Sequence, residues 1–422
     1  MNKLAGALVL TLAAASSAHA AIQVGGGATL PAAGYVGDVT HRLNASPDAN
    51  SLLGAFKSVY ANSGASYCQT GSGAGKNILA GVSGTSVQNA CPDGSTTPTG
   101  FGASDPSVNR PTLTQPNFAA SDSPLSATDY SNYVANRGSS RPLQFPAVAG
   151  GIAIVYRNDN LASQLSLSTA QVCGIFNGSI TQWTQLGVTA PASGNTIKVV
   201  YRSDGSGTSF GFSNFLSASC SGTVAQHFKT DQSFSSAVSL YSLPNATTWT
   251  GASGNQNVVN AILGADGSIG YAEAANAQAA FGSIALVNGK DPSADLGDPS
   301  THKVTINSTD VVYNNAITGV DANTGRPTFA AISGAPSTSC IALVKPDAYA
   351  TQPTDRYPII AVSYLLGNSQ GNGADAADVR KLLGAPYTTA VVNATATIGA
   401  GTGLAFLSAP FTTSQINGCV IN

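Results

Sequence analysis

Two hydrophobic spacings alternate along this chain. Short β-branched runs at 151–156 (GIAIVY) and 197–202 (IKVVYR) predict strands. The longest apolar stretches after the first twenty residues, 147–156 and 358–367, read as buried strands, since a membrane-crossing helix needs about 20 such residues. Helical spacing appears instead at 255–263 (NQNVVNAIL), 271–281 (YAEAANAQAAF) and 376–383 (AADVRKLL). Strand-like and helix-like segments in alternation predict an α/β protein. Between them, 81–115 and 288–327 are rich in Gly, Ser, Thr and Pro and read as loops, and no long internal repeat is present.

The first twenty residues carry a different pattern. Lys3 precedes an apolar run from Leu4 to Ala15, and Ala18-His19-Ala20 is a small-x-small cleavage site, so residues 1–20 are expected to be a signal peptide. No Cys follows that point to take a lipid anchor, and a periplasmic or secreted protein without membrane insertion is expected. At 422 residues the chain has room for two or three domains. Only 9% of its residues are charged, against about 25% in an ordinary soluble domain, so Ser, Thr, Asn and Gln must wet its surface. Eighteen Lys and Arg against 20 Asp and Glu offer no basic face for nucleic acid.

Six cysteines in an exported chain point to disulfides. Fifteen pairings are possible. Pairing sequence neighbours gives the simplest set, Cys68–Cys91, Cys173–Cys220 and Cys340–Cys419. No C-x-x-C occurs and only His41, His227 and His302 lie beyond the signal, so neither a metal site nor a cofactor is expected.

Four segments could carry chemistry. Residues 71–76 (GSGAGK) fail the P-loop pattern, because Thr70 stands where its first Gly belongs and Asn77 where a magnesium-binding Ser or Thr is needed. What remains is either a flexible loop or a glycine turn opening a helix, with free N–H groups and the Ser72 hydroxyl as a cradle for a small anion. Residues 201–210 (YRSDGSGTSF) follow a strand and precede a helix-like stretch at 210–217. That context puts Ser206, Gly207 and Thr208 at a helix N-terminus, where N–H groups and the helix dipole favour an anion, with Arg202 adding a cationic fork. The alternative is a capped helix with an Arg202–Asp204 surface pair. The same segment spells G-x-S-x-G at 207–211, so a serine hydrolase using Ser209 with His227 or His302 is a rival from another class. Residues 118–126 (FAASDSPLS) place Asp122 before a helical stretch, either as an N-cap or in a site, and 101–106 (FGASDP) is a near-copy around Asp105.

Taken in order, 25–31 (GGGATLP), GSGAGK, FAASDSPLS, 145–151 (FPAVAGG), 178–186 (GSITQWTQL), SDGSGTSF and 267–271 (GSIGY) resemble the periplasmic phosphate-binding proteins of phosphate ABC transporters, and among them the DING-type secreted phosphate binders. A weaker match falls near 357–385. Three departures stand out: Ile22-Gln23-Val24 replaces the Asp-Ile-Asn of DING proteins, residues 39–60 read as an insertion, and the 50 residues from Ser72 to Asp122 exceed the usual spacing. The resemblance implies a two-lobed periplasmic-binding-protein fold of type II, with two α/β domains joined by a two-strand hinge and ligand in the cleft. Its lobes would be 21–155 plus 358–422, and 156–357. Phosphate contacts are implied from Thr29, Leu30, Ser72, Asp122, Arg202, Ser206, Gly207 and Thr208, with Asp204 orienting Arg202. Asp122 is preferred to Asp105 because only it is followed by SPLS and then, one helix later, by FPAVAGG. The expected function is capture of inorganic phosphate by a monomer, for a transporter permease or as a free scavenger. Some DING relatives are associated with phosphatase activity, which makes phosphomonoester hydrolysis the alternative.

Overall fold

The computed structural model describes residues 21–422 apart from 62, 83–90, 92–99, 243–247, 280–282, 336–338, 351–355 and 409–412. The expected signal peptide therefore lies outside the described residues. One strand organises the rest: Pro142–Arg157, sixteen residues long and buried along all but its last position. Its FPAVAGGIAIV composition suits a strand covered on both faces, which reads as a continuous apolar run rather than an alternation.

This strand changes neighbours partway along. Residues 142–151 pair antiparallel with Ile360–Asn368, and 148–150 pair on the other side with Leu404–Ser408. Residues 152–157 pair antiparallel with Ser268–Glu273, and 154–156 with Ser283–Val287. Outward from the first half, Ile360–Asn368 pairs with Phe118–Ser121, then Ile22–Gly27 and Gly64–Gln69 continue in parallel. Outward from the second half come Lys198–Arg202 and Trp249–Ala252, both parallel. Helices cover these sheets, as the alternating pattern requires, including Ser72–Ala80, Ala127–Arg137, Gly207–Ser219, Gly254–Leu263 and Ala376–Leu383.

Aromatic residues fill the second half's core, with Phe212 stacked on Tyr271 at 4.5 Å and edge-on to Phe176 at 4.7 Å. Leu30, Tyr35, Phe56, Tyr67 and Phe118 fill the first half. Three disulfides, Cys68–Cys91, Cys173–Cys220 and Cys340–Cys419, tie the chain.

Two expectations about elements are corrected. Residues 271–273 are not helical: Tyr271, Ala272 and Glu273 pair with Ile154, Ala153 and Ile152, and only Ala274–Ala279 forms a helix. Sheet pairing of buried residues overrides the helical preference of an alanine-rich run. Nor is 288–327 all loop, because it contributes Val304–Thr305, Val311–Tyr313 and the hairpin strand Asn315–Val320, which pairs with Pro327–Ala331. This segment packs on the first half: Val304–Thr305 pairs with Leu404–Ser408, and the Ile317 N–H donates to the Leu125 carbonyl at 3.0 Å.

Candidate functional site

The ends of several strands and the starts of the helices after them meet at one place between the halves. After Ile22–Gly27 the chain turns at Gly27, whose φ of +124° and approach to the Ala120 carbonyl leave no room for a side chain. The turn brings Thr29 to the crevice. Leu30 points its side chain into the core, fully buried, and not toward the site.

Gly71, at φ +85°, starts the Ser72–Ala80 helix after strand Gly64–Gln69. The Ser72 hydroxyl donates to Asp122 Oδ2 at 3.2 Å and accepts from the Asp122 N–H at 3.0 Å. Asp122, at the end of Phe118–Ser121, does not cap a helix, since Ser126 caps Ala127–Arg137 through a capping box with Asp129. Its carboxyl is buried, and among the described residues Oδ1 has no hydrogen-bond partner. Burial pushes this carboxyl up to about 7, against the lowering effects of the Ser363 and Ser72 hydroxyls and the Arg202 charge. Asp105, its near-copy, bonds Ser107 in an exposed turn instead.

From the other half, Arg202 ends strand Lys198–Arg202 with its side chain 1% exposed. Its Nε and NH2 reach Asp204 Oδ1 and Oδ2 at 2.7 and 2.5 Å, a two-point pair. NH1 turns to the Thr208 and Thr29 hydroxyls at 3.3 and 3.5 Å. Burial lowers the Arg202 pKa, but the Asp204 charge outweighs it and holds the guanidinium above its ordinary value. Burial raises Asp204, and Arg202 together with the Gly254 N–H overcomes that to keep it below the carboxylate range. The pair is therefore locked as ions.

Ser206 is the N-cap of Gly207–Ser219, accepting from the Ser209 N–H at 3.1 Å, while its own N–H goes to Gln232 at 3.0 Å. Gly207 and Thr208 come next in the first turn, where N–H groups have no intrahelical acceptor. A Cβ on Gly207 would lie 2.4 Å from Asp122 Cβ and 2.5 Å from Ser72 Oγ. The helix start thus sits directly on the first half's Ser72 and Asp122. Thr29, Ser72, Asp122, Arg202, Gly207 and Thr208 are accordingly gathered in one crevice, with Ser206 at its edge.

Sequence reasoning missed Asn255. Fully buried, it donates to the Thr29 and Thr208 hydroxyls at 3.0 and 3.3 Å and accepts from the Glu273 N–H at 3.2 Å. Its signal was present: Ser253-Gly254-Asn255 follows strand Trp249–Ala252 and opens Gly254–Leu263, the same strand–turn–helix arrangement as 201–210. Ser209, by contrast, is not assembled into a triad. Its hydroxyl pairs with the Tyr271 hydroxyl at 2.6 Å, and His227 Nδ1 pairs with the Thr223 carbonyl. Fully buried on the inner side of its helix, Ser209 is packed where an attacking nucleophile would have no substrate. Among the described residues, no group of three or more His, Cys, Asp and Glu is placed to hold a metal, and no helix is long and apolar enough to cross a membrane.

Two α/β lobes around a polar crevice that is walled by helix N-termini define a periplasmic-binding-protein fold of type II. The chain belongs to the PBP superfamily, whose domain model matches residues 44–378. It is 32% identical to alkaline phosphatase L of Pseudomonas aeruginosa (strain PAO1) over 264 residues, 62% of this chain and 59% of that protein, so the chain spans less than two thirds of that relative. It is 35% identical to a phosphate-binding protein of an unknown prokaryotic organism over 158 residues, 36% of this chain and 41% of that one. In structure it is similar to PfluDING, a high-affinity periplasmic phosphate-binding protein solved with phosphate, at a TM-score of 0.59 and 24% identity, covering 94% of this chain and 92% of the other.

Proposed function

We propose that this chain is an exported phosphate-binding protein that captures inorganic phosphate between its lobes, for uptake by an ABC transporter or for scavenging outside the cell. The single observation that carries the reading is the buried Asp122 Oδ1, left without a partner among the described residues beside the Ser72 and Arg202 donors. A buried polar atom needs a partner. Phosphate near neutral pH keeps at least one proton to donate to it, whereas sulfate brings only lone pairs and like charge. Arg202, the Thr29, Ser72 and Thr208 hydroxyls, and the first-turn N–H groups of Gly207 and Thr208 supply the remaining hydrogen bonds. Charge-assisted bonds of about 1.5–3 kcal/mol each can exceed the ~8 kcal/mol of micromolar binding after association costs. The likeness to a phosphate-binding protein supports the same ligand.

In this reading the lobes comprise 21–155 with 358–422, and 156–357, the latter reaching back onto the first through 304–344, and the protein works as a monomer. Calorimetry on the mature chain tests it. Phosphate binds and sulfate does not, and Arg202→Ala, which removes the guanidinium, loses about 2–5 kcal/mol of phosphate binding. Unchanged affinity in that variant refutes the site.

A second reading, phosphomonoester hydrolysis, draws on the likeness to an alkaline phosphatase and on the Ser72 hydroxyl lying 3.2 Å from the Asp122 carboxylate, a nucleophile beside a base. Turnover of a chromogenic phosphomonoester that is abolished by Ser72→Ala and spared by Ser209→Ala would establish it.

A further inference from the structure

The crevice continues beyond the groups that grip phosphate in the proposed function. Thr29 and Asn255 also wall a cavity of about 220 Å³ between the lobes, ample for a group of several heavy atoms. Its lining includes Arg42 and Gln69 from the first lobe and Gln256 and Asn257 from the second, and no carboxylate. Arg42 is firmly placed. The Gln69 N–H donates to the Arg42 carbonyl at 2.8 Å, and Gln69 Nε2 donates to the His41 carbonyl at 2.9 Å. Burial pushes the guanidinium down to about 10, with the Asp204 charge opposing, so it remains cationic at neutral pH. Across the cavity, the ten-residue helix Gly254–Leu263 presents its start. Its Ser253 makes no side-chain cap and the Gly254 N–H is spent on Asp204, which leaves the next N–H groups without intrahelical acceptors. A cation, amide side chains and a helix N-terminus facing one polar space, with no acid among them, form a second anion-favouring pole next to the first.

We propose that this cavity is an anion subsite, so that the protein binds a phosphoryl group carrying a second anionic group, a phosphoanhydride or an acidic phosphomonoester, with Arg42 holding the distal charge. The inference rests on the phosphate reading of the main crevice and names the fuller ligand class of that site. Inorganic pyrophosphate is its smallest member and serves as the probe.

Titration calorimetry on the mature wild-type chain is expected to show binding of both phosphate and pyrophosphate. Arg42→Gln should weaken pyrophosphate at least tenfold and phosphate less than threefold. Asn257→Asp, at an exposed position on the cavity wall, brings a like charge to the distal group and should discriminate in the same direction without touching the core. Wild-type protein that binds phosphate but not pyrophosphate overturns the proposal and leaves the phosphate reading standing, as do variants that weaken both ligands equally. Binding of neither ligand overturns both readings.

Discussion

In the proposed function Asp122 selects the anion, and its burial sets a pH dependence. Held near 7 by burial, its carboxyl is ionised above that value and protonated below it. Once protonated it donates rather than repels, so discrimination against sulfate should fall as pH drops through about 7, read as the ratio of sulfate to phosphate dissociation constants at pH 5.5 and 8. The same shift bears on stability. A carboxyl whose folded pKa lies above its unfolded value of 3.8 stabilises the fold fully at low pH, and that contribution is lost as pH rises through the folded value. Asp122→Asn removes the ionisation, so its Tm relative to wild type should increase from pH 5 to pH 8, and the variant should admit sulfate at both. A Tm difference independent of pH would show that Asp122 does not titrate there. Part of this site was legible from the residues themselves, since Ser72 and Arg202 to Thr208 lie in glycine-rich turns between a strand and a helix, whereas Thr29 and the choice of Asp122 over Asp105 came from the family resemblance. Asn255 was missed despite its strand–turn–helix setting, because an Asn opening a helix is ordinary in so Asn-rich a chain and only the fold carries it across to Thr29.

Among the elements, the Gly207–Ser219 helix has the tightest role. Its first residue touches the opposing lobe, and a methyl group there would have to displace Asp122 and Ser72. Gly207→Ala should hold the lobes apart and weaken phosphate at least tenfold by calorimetry, while the Tm without ligand changes by no more than a few degrees. Equal affinity would mean that the lobes meet elsewhere. The reading of 271–281 failed at this scale for an instructive reason. Tyr271, Ala272 and Glu273 share helical spacing with the alanine-rich residues after them, but Ser268–Glu273 is wedged between Lys198–Arg202 and Pro142–Arg157, and sheet position outranks local preference. The strand at 151–156 was legible because burial on both faces makes it uniformly apolar, and the one at 197–202 through its β-branched Ile197, Val199 and Val200, although Lys198 and Tyr201 are half-buried. The hairpin strand Asn315–Val320 was not, since it is half-exposed and mixes Ala, Ile and Val with Asn, Thr and Gly.

In the whole molecule, the Cys340–Cys419 disulfide closes a loop of 79 residues and fastens the 304–344 segment to the chain's end. Replacing both cysteines by Ser should lower the unfolding free energy by about 2–5 kcal/mol in urea titrations, and an unchanged midpoint would show that packing alone holds that segment. The lobes share more than a crevice. Because Pro142–Arg157 runs unbroken through both, a cut between residues 151 and 152 would strip Ile360–Asn368 of both its neighbours, Phe118–Ser121 and the first part of that strand. Neither fragment could be made as a free-standing lobe. If phosphate enters as proposed, lobe opening would flex this shared ribbon rather than part it, and its central amides should stay shielded from solvent exchange throughout.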